Sequence, residues 1–283
     1  MPTPICLLGG AGIDDRVAHG HDPDRFVEIG SLSKVFTGTV LARLAKDKAV
    51  ELDTPLEECL DEVPAGTGIT LRHLAGHTSG LPRLPVHPAG PPGDPYAAFT
   101  EQALRASLRE LDRVATGRLG QEEYSNLGYA VLGHALTTAT GRSYQQLVDE
   151  LVLLPLGLEA GAVTSSPPGE RRLIPRGLFG RPRPLWTMTG PILPAGGLWS
   201  TCRTLSRAVT GLLVERRLGP PAPGWRRGSS LTWHDGATRG SSVVAAAHDD
   251  GRWVVLHRLG GLAGTEKLAR KVFLTAPAPH GRT

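Results

Sequence analysis

The sequence predicts an α/β protein. An antiparallel sheet flanked by helices is assembled from both ends of the chain, and a mainly helical lobe lies between them. Three observations lead there. Strand-like runs gather at the two ends: short ones within residues 4–30, then "SLTWHDGA", "SSVVAAAH" and "RWVVLHRLG" near the C-terminus. Between them, apolar residues recur at helical spacing. The last two strand-like runs are joined by Asp249-Asp250-Gly251, a strong hairpin signal.

Taken in order, residues 4–30 read as short strands and turns. A helix follows from Ser31 to about Lys46, with Val35, Val40, Leu41 and Leu44 on one face. "ITLRHLAGHTSGLP" reads as a short helix ending at Gly80-Leu81-Pro82, and 83–95 as a Pro/Gly loop. Helices are expected over 96–111, 127–140 and 143–155, with Gly141 as a C-cap and Ser143 as the next N-cap. An irregular Pro/Gly/Arg segment covers 165–197, a length that loops in compact domains reach chiefly for function or disorder. "STCRTLSRAVTGLL" reads as a helix, and "GTEKLARKVFL" closes the chain as another. The organisation expected is a single domain over 1–283. Its α/β lobe spans about 1–75 and 198–283, and its helical lobe about 76–197.

Composition excludes several classes. Gly 36 and Pro 24 in 283 residues are high but aperiodic, so neither collagen nor a coiled coil fits. No segment approaches the ~20 apolar residues of a membrane span, and the N-terminus lacks the basic start of a signal peptide. Cys6, Cys59 and Cys202 are far apart in sequence without CxxC spacing, which predicts reduced thiols in a cytoplasmic protein rather than a disulfide framework or zinc site. Residues 1–169 carry 13 basic and 21 acidic side chains, and 170–283 carry 18 and 6. The arginines of the second half are scattered among Pro and Gly, without a basic stripe or stacking aromatics. They read as surface composition rather than a nucleic-acid face.

Three stretches could carry chemistry. Only five of the 31 basic residues are Lys, yet one of them, Lys34, sits three residues after Ser31 at a helix start. Residues i and i+3 share a helix face, the helix N-terminus favours developing negative charge, and a partly buried lysine can lose its proton where arginine cannot. With 14 Ser and five Lys, S-x-x-K alone arises by chance in about one such chain in four (14 × 5 / 283), so it decides little. The second stretch, Tyr124-Ser125-Asn126, holds the only Asn in the chain; with four Tyr, chance supplies Y-x-N about 0.014 times (4 × 1 / 283). Tyr124, its pKa lowered beside Lys34, would shuttle a proton, and Asn126 would accept from the lysine and donate to a substrate carbonyl. The third is a strand carrying His234-Asp235-Gly236-Ala237. A glycine on an edge strand lets a substrate backbone lie close, and the N–H of Ala237 is a candidate oxyanion donor.

In this order and spacing the stretches resemble the serine β-lactamase and penicillin-binding-protein superfamily. They look most like the branch with class C β-lactamases, D,D-peptidases and β-lactamase-like esterases, which uses Y-x-N. "FVEIGSLSKVFTG", "LRHLAGHTSGLP", "YSNLGYAVLG" and "LPAGGLWST" also look like that branch, and the resemblance covers about residues 25–275. It implies a β-lactamase/transpeptidase-like fold, without metal or cofactor. Ser31 would be the acylated nucleophile, Lys34 its base and Tyr124 the proton shuttle. Asn126 would orient substrate, His234 and Gly236 would mark the strand beside the cleft, and the amides of Ser31 and Ala237 would form the oxyanion hole. Only 30 residues precede Ser31, so the resemblance also implies an N-terminally shortened fold.

Asp235 departs from the family pattern, where carboxylate-binding members carry threonine or a small residue. A carboxylate there repels a substrate carboxylate by roughly 1 kcal/mol or more at close range, unless Arg239 turns inward to compensate. The expectation is therefore an esterase, amidase or acyltransferase on an intracellular small-molecule or peptide substrate, with β-lactamase or D,D-carboxypeptidase as the alternative. From another class, the alternative is a catalytically silent binding scaffold. His77 and Ser79 read as structural. No nucleic-acid or membrane partner is expected, and the oligomeric state is open.

Overall fold

Three short strands, β1 (Ile5–Gly10), β2 (Arg16–Ala18) and β3 (Phe26–Glu28), lead into a 3-10 turn over Gly30–Leu32 and then helix α1 (Ser33–Lys46). The computed structural model describes residues 2–86 and 88–277. Every α1 residue from Ser33 to Leu41 is buried, the situation of a helix enclosed on all sides. Its polar side chains are satisfied inside: Ser33 Oγ accepts from Leu198 N (3.1 Å), and Thr37 Oγ1 donates to Pro194 O (2.7 Å).

Short helices α2 (Leu56–Cys59) and α3 (Leu71–Ala75) follow, then α4 (Glu101–Arg109), α5 (Leu111–Val114), α6 (Asn126–Thr140) and α7 (Tyr144–Val148). The α6 and α7 boundaries follow the expected caps. Gly141 ends α6 at φ +66°, and Ser143 exchanges hydrogen bonds with Gln146 in a capping box. The helix expected from Tyr96 begins only at Glu101, because Thr100 Oγ1 accepts from Ala103 N and caps it there. Tyr96 lies in the preceding turn.

The tract 165–197 contains no strand after β4 (Val163–Thr164); it runs through 3-10 turns into α8 (Leu193–Gly196). β5 (Trp199–Thr201) precedes α9 (Cys202–Val209), so the stretch expected as one helix opens as a strand. β6 (Arg226–Arg227), β7 (Leu231–Thr238), β8 (Ser241–His248) and β9 (Trp253–Arg258) then lead to α10 (Leu262–Thr275).

The main sheet, in order β2-β1-β9-β8-β7-β6, is antiparallel and joins the two ends of the chain, as expected. A smaller sheet, β3-β5-β4, was not legible from its two- and three-residue strands. β8 divides its side chains by strand alternation. Val243, Ala245 and Ala247 join the large core containing α1 and α6, while Val244 and Ala246 join a second core with Ala269 of α10. No helix among the described residues is long and apolar enough to cross a membrane.

β3 and the β7–β8 hairpin are tied beside the end of β3 by Glu28. Thr238 Oγ1 donates to its Oε2 (2.8 Å), and Ser241 Oγ donates to its main-chain O (3.2 Å). Burial pushes the Glu28 carboxyl up to about 7, above the 4.5 of an open chain. The folded state thus holds this proton more tightly. Its contribution favours folding below about pH 4.5 and is lost as pH rises through about 7. Glu28→Gln should therefore stabilise the protein at pH 8 by up to about 3 kcal/mol and change little at pH 4.5, as read by urea unfolding at both values.

Candidate active site

Ser31 is presented by the tight turn between β3 and α1. Gly30 takes φ +49°, and a Cβ there would sit 2.7 Å from both N and O of Ala237. A Cβ on Gly236 would come within 2.0 Å of Ile29 O. Two glycines thus let β7 press against the serine turn and bring the Ala237 amide alongside it. β6 pairs only with Thr232 and Trp233, so β7 is an open edge from His234 to Thr238.

Lys34, the second residue of α1 and one turn after Ser31, is 0 % exposed. Its Nζ donates to Asn126 Oδ1 (2.7 Å) and to Ala195 O (2.6 Å) and lies 3.3 Å from Ser31 Oγ. Burial is the main reason its pKa falls well below the usual lysine range, and the Arg83 and Arg226 charges lower it further against an opposing pull from Asp235. A neutral amine has two N–H donors and one lone pair. Both partners other than Ser31 are oxygens that only accept, so the lone pair is left for the serine hydroxyl. The Tyr124 O–H donates to the same Oγ at 2.6 Å. Asn126 Nδ2 in turn donates to Tyr96 Oη (2.7 Å), which fixes the amide with its oxygen toward the lysine.

One expectation is corrected here. Tyr124 is not lowered beside Lys34 but pushed up to about 12, chiefly by burial, with the Asp235 charge adding to it.

The turn that delivers Tyr124 and Asn126 is held from behind. Ser125 N donates to His77 Nδ1 (3.1 Å), Ser125 Oγ to Pro82 O (2.7 Å) and Asn126 N to Arg83 O (3.0 Å). The His77 ring lies 4.5 Å from the Tyr124 ring, and burial lowers its pKa to about 3. Ser79 Oγ accepts from Leu81 N (3.4 Å). Both residues support the turn.

On β7, His234 is buried. Its ring is tied at Nδ1 to Gly224 O (2.5 Å), and burial lowers its pKa to about 3. Asp235 is paired not with Arg239 but with Arg226, whose Nη1 lies 3.6 Å from Oδ1. Arg239 is exposed and reaches toward the helical segment, where Nη1 donates to Gly93 O (3.4 Å). The same carbonyl accepts from Trp186 Nε1 (3.0 Å), and Asp94 Oδ2 accepts from N and Oγ1 of Thr187. The tract 165–197 is thereby pinned to the 90s loop.

The fold thus assembles Ser31, Lys34, Tyr124 and Asn126 within direct hydrogen-bond reach, with Gly236 and Ala237 packed against the serine turn. Sequence reading missed Tyr96, the Ala195 carbonyl, Arg226 and Arg83, whose guanidinium lies 5.2 Å from the Tyr124 ring centroid. Only the quoted "LPAGGLWST" stretch, which contains Ala195, hinted at one of them.

The family model described as Beta-lactamase matches residues 8–271. The chain is 35 % identical over 156 residues to the Escherichia coli (strain K12) "D-alanyl-D-alanine-carboxypeptidase/endopeptidase AmpH", covering 53 % of this chain and 40 % of that protein. Other curated relatives are covered over 36 % and 32 % of their length, so the chain spans well under half of these proteins. Among solved structures, it superposes on the D-amino acid amidase of Ochrobactrum anthropi SV3 with a TM-score of 0.78 at 21 % identity (96 % of this chain, 94 % of that one). It superposes on a class C β-lactamase from Rhodobacter sphaeroides with a TM-score of 0.73 at 17 % identity (96 % and 94 %).

Because Arg226 lowers and Asp235 raises the Lys34 pKa, their removal should act in opposite directions. Arg226→Gln should move the pH midpoint of Ser31 labelling by a fluorophosphonate upward, and Asp235→Asn should move it downward. Equal or absent shifts would remove Lys34 from control of the serine.

Proposed function

The chain belongs to the Beta-lactamase family, and on that footing we propose that it is a serine hydrolase working through an acyl-enzyme on Ser31. The observation that carries this reading is the set of Lys34 partners. Two acceptors hold the amine, and its third direction meets Ser31 Oγ at 3.3 Å. Lys34 takes the Ser31 proton as Oγ attacks the substrate carbonyl carbon, and the oxyanion settles against the amides of Ser31 and Ala237. The Ser31 proton, now on Lys34, leaves through Tyr124 to the departing alkoxide or amine. A tyrosine protonated up to about pH 12 suits a relay that gives one proton and regains one. Water or another nucleophile then takes the acyl group and frees Ser31.

The substrate we propose is an ester or amide of a small molecule or short peptide, handled as an esterase, amidase or acyltransferase. Asp235 supports this reading, as a half-buried carboxylate close enough to shift both Lys34 and Tyr124. Arg83, exposed above the Tyr124 ring, favours a second one: a peptide ending in a free carboxylate, as cleaved by a D,D-carboxypeptidase. The ratio of kcat/KM for a D-alanyl-D-alanine peptide over its C-terminal amide separates them. A ratio below one supports the first reading and a ratio above ten the second.

Incubation with p-nitrophenyl acetate, a chromogenic cephalosporin and a fluorophosphonate should give an adduct by intact mass that Ser31→Ala abolishes. Lys34→Arg should slow acylation by about 10²- to 10⁴-fold, the range for loss of a general base. No adduct on Ser31 with any of the three would sink the enzyme reading. The rate of p-nitrophenyl acetate hydrolysis should also hold level from pH 8 to 10. An alkaline fall in that window that vanishes in Tyr124→Phe would mean the tyrosine titrates far below about 12.

A further inference from the structure

We propose that Cys6, His21 and Cys202 form a binding site for a thiophilic divalent cation, Zn²⁺ by its chemistry, apart from the Ser31 site. In sequence the two cysteines are remote. The fold places Cys6 in β1, His21 in the turn after β2 and Cys202 at the start of α9, with a ligand atom from each within 4.8 Å of the others. All three are buried, at 0, 7 and 0 % exposure.

The second observation is an orphaned nitrogen: His21 Nδ1 is buried and has no hydrogen-bond partner among the described residues. A chain of hydrogen bonds fixes its state. Ser241 donates its hydroxyl proton to the Glu28 carbonyl, which can only accept. His257 Nε2, 2.7 Å from Ser241 Oγ, must then be the donor there, which leaves its Nδ1 as an acceptor. His21 Nε2, 2.8 Å from that Nδ1, donates to it. The remaining nitrogen, His21 Nδ1, therefore carries a bare lone pair beside two thiols. An imidazole whose other N–H is held by a partner is the usual state of a metal-ligating histidine. Cys6 and His257 are register partners in β1 and β9, so ligand and support project from the same face of the sheet.

The ion follows from charge. On binding, each thiol releases its proton to solvent. Two thiolates and a neutral imidazole then balance a divalent cation, leaving no net charge in a buried site. Thiolate and imidazole ligands select Zn²⁺ over the hard cations. Among the described residues no other Cys, His, Asp or Glu joins the cluster, so the fourth position falls to water. The ion would clamp β1, the β2–β3 turn and α9, and through His257 and Ser241 would steady the strand that delivers Ser31. It takes no part in the proposed hydrolysis.

The full chain, reduced and stripped with a chelator, should bind one equivalent of Zn²⁺ in competition with a chromophoric chelator. Co²⁺ in its place should give a near-ultraviolet thiolate-to-metal absorption. The Cys6→Ser/Cys202→Ser double variant should lose both signals, Cys59→Ser should keep both, and His257→Leu should weaken binding about 10- to 100-fold. Should the double variant fail to fold, the wild type still decides. Zn²⁺ must shield Cys6 and Cys202, but not Cys59, from alkylation in mild denaturant. Absence of the thiolate band, binding of Cu⁺ without Zn²⁺, or a Cys6–Cys202 disulfide that persists after reduction and Zn²⁺ addition would overturn the assignment.

Discussion

The structure turns on a lysine amine enclosed by protein, with no carboxylate among the described residues in hydrogen-bond contact. Keeping an ammonium there would cost several kcal/mol of lost hydration. Burial accordingly drives the Lys34 pKa down, toward an amine that needs only two acceptors, which Asn126 Oδ1 and Ala195 O supply. Several other features follow from the same constraint. Helix α1 is enclosed almost all round. Asn126 is locked by Tyr96 so that its oxygen faces inward. The tight turn at Gly30 sets Ser31 in the one direction the amine leaves open.

Charges around this dry centre are kept at arm's length. Arg83 and Arg226 are exposed and Asp235 is half-buried, so each acts on Lys34 through space rather than by contact. Such an arrangement can set when the amine is protonated without competing for its hydrogen bonds. It also leaves the site's rim polar and positively biased. The tract 165–197 contributes to that rim. Trp186 edges onto Tyr96 and shares the Gly93 carbonyl with Arg239, so rim and floor are mechanically one piece.

Legibility in the sequence tracked how local each signal was. S-x-x-K sits within one helical turn, and the single Asn made Y-x-N improbable by composition, so both motifs stood out before any fold was known. The helices with cap signals at Gly141 and Ser143 were equally readable. Tyr96 was misplaced because its apolar neighbours continue a helical pattern that Thr100 interrupts by capping. The Ala195 carbonyl left no trace, since a main-chain oxygen has no letter. Arg239 was considered as a counter-charge to Asp235 for its nearness along the chain, whereas the β6–β7 pairing brings Arg226 to it. The Tyr124 shift was misjudged because its sign depends on burial, which periodicity does not report. Cys6 and Cys202 were read apart because their meeting depends on both sheets and α9.

The catalytic candidates come from the end of β3, the turn before α6, the turn at α8 and the edge of β7, and the main sheet closes only when both chain ends have paired. These contacts are long-range, and such contacts form late in folding. A nascent chain that has made Ser31 and Lys34 but not yet β7 holds an ordinary serine and a solvated, protonated lysine. Reactivity is therefore a property of the finished molecule alone. On the proposed reading, a chain that stops short of β7 carries a serine no more reactive than one in open solvent.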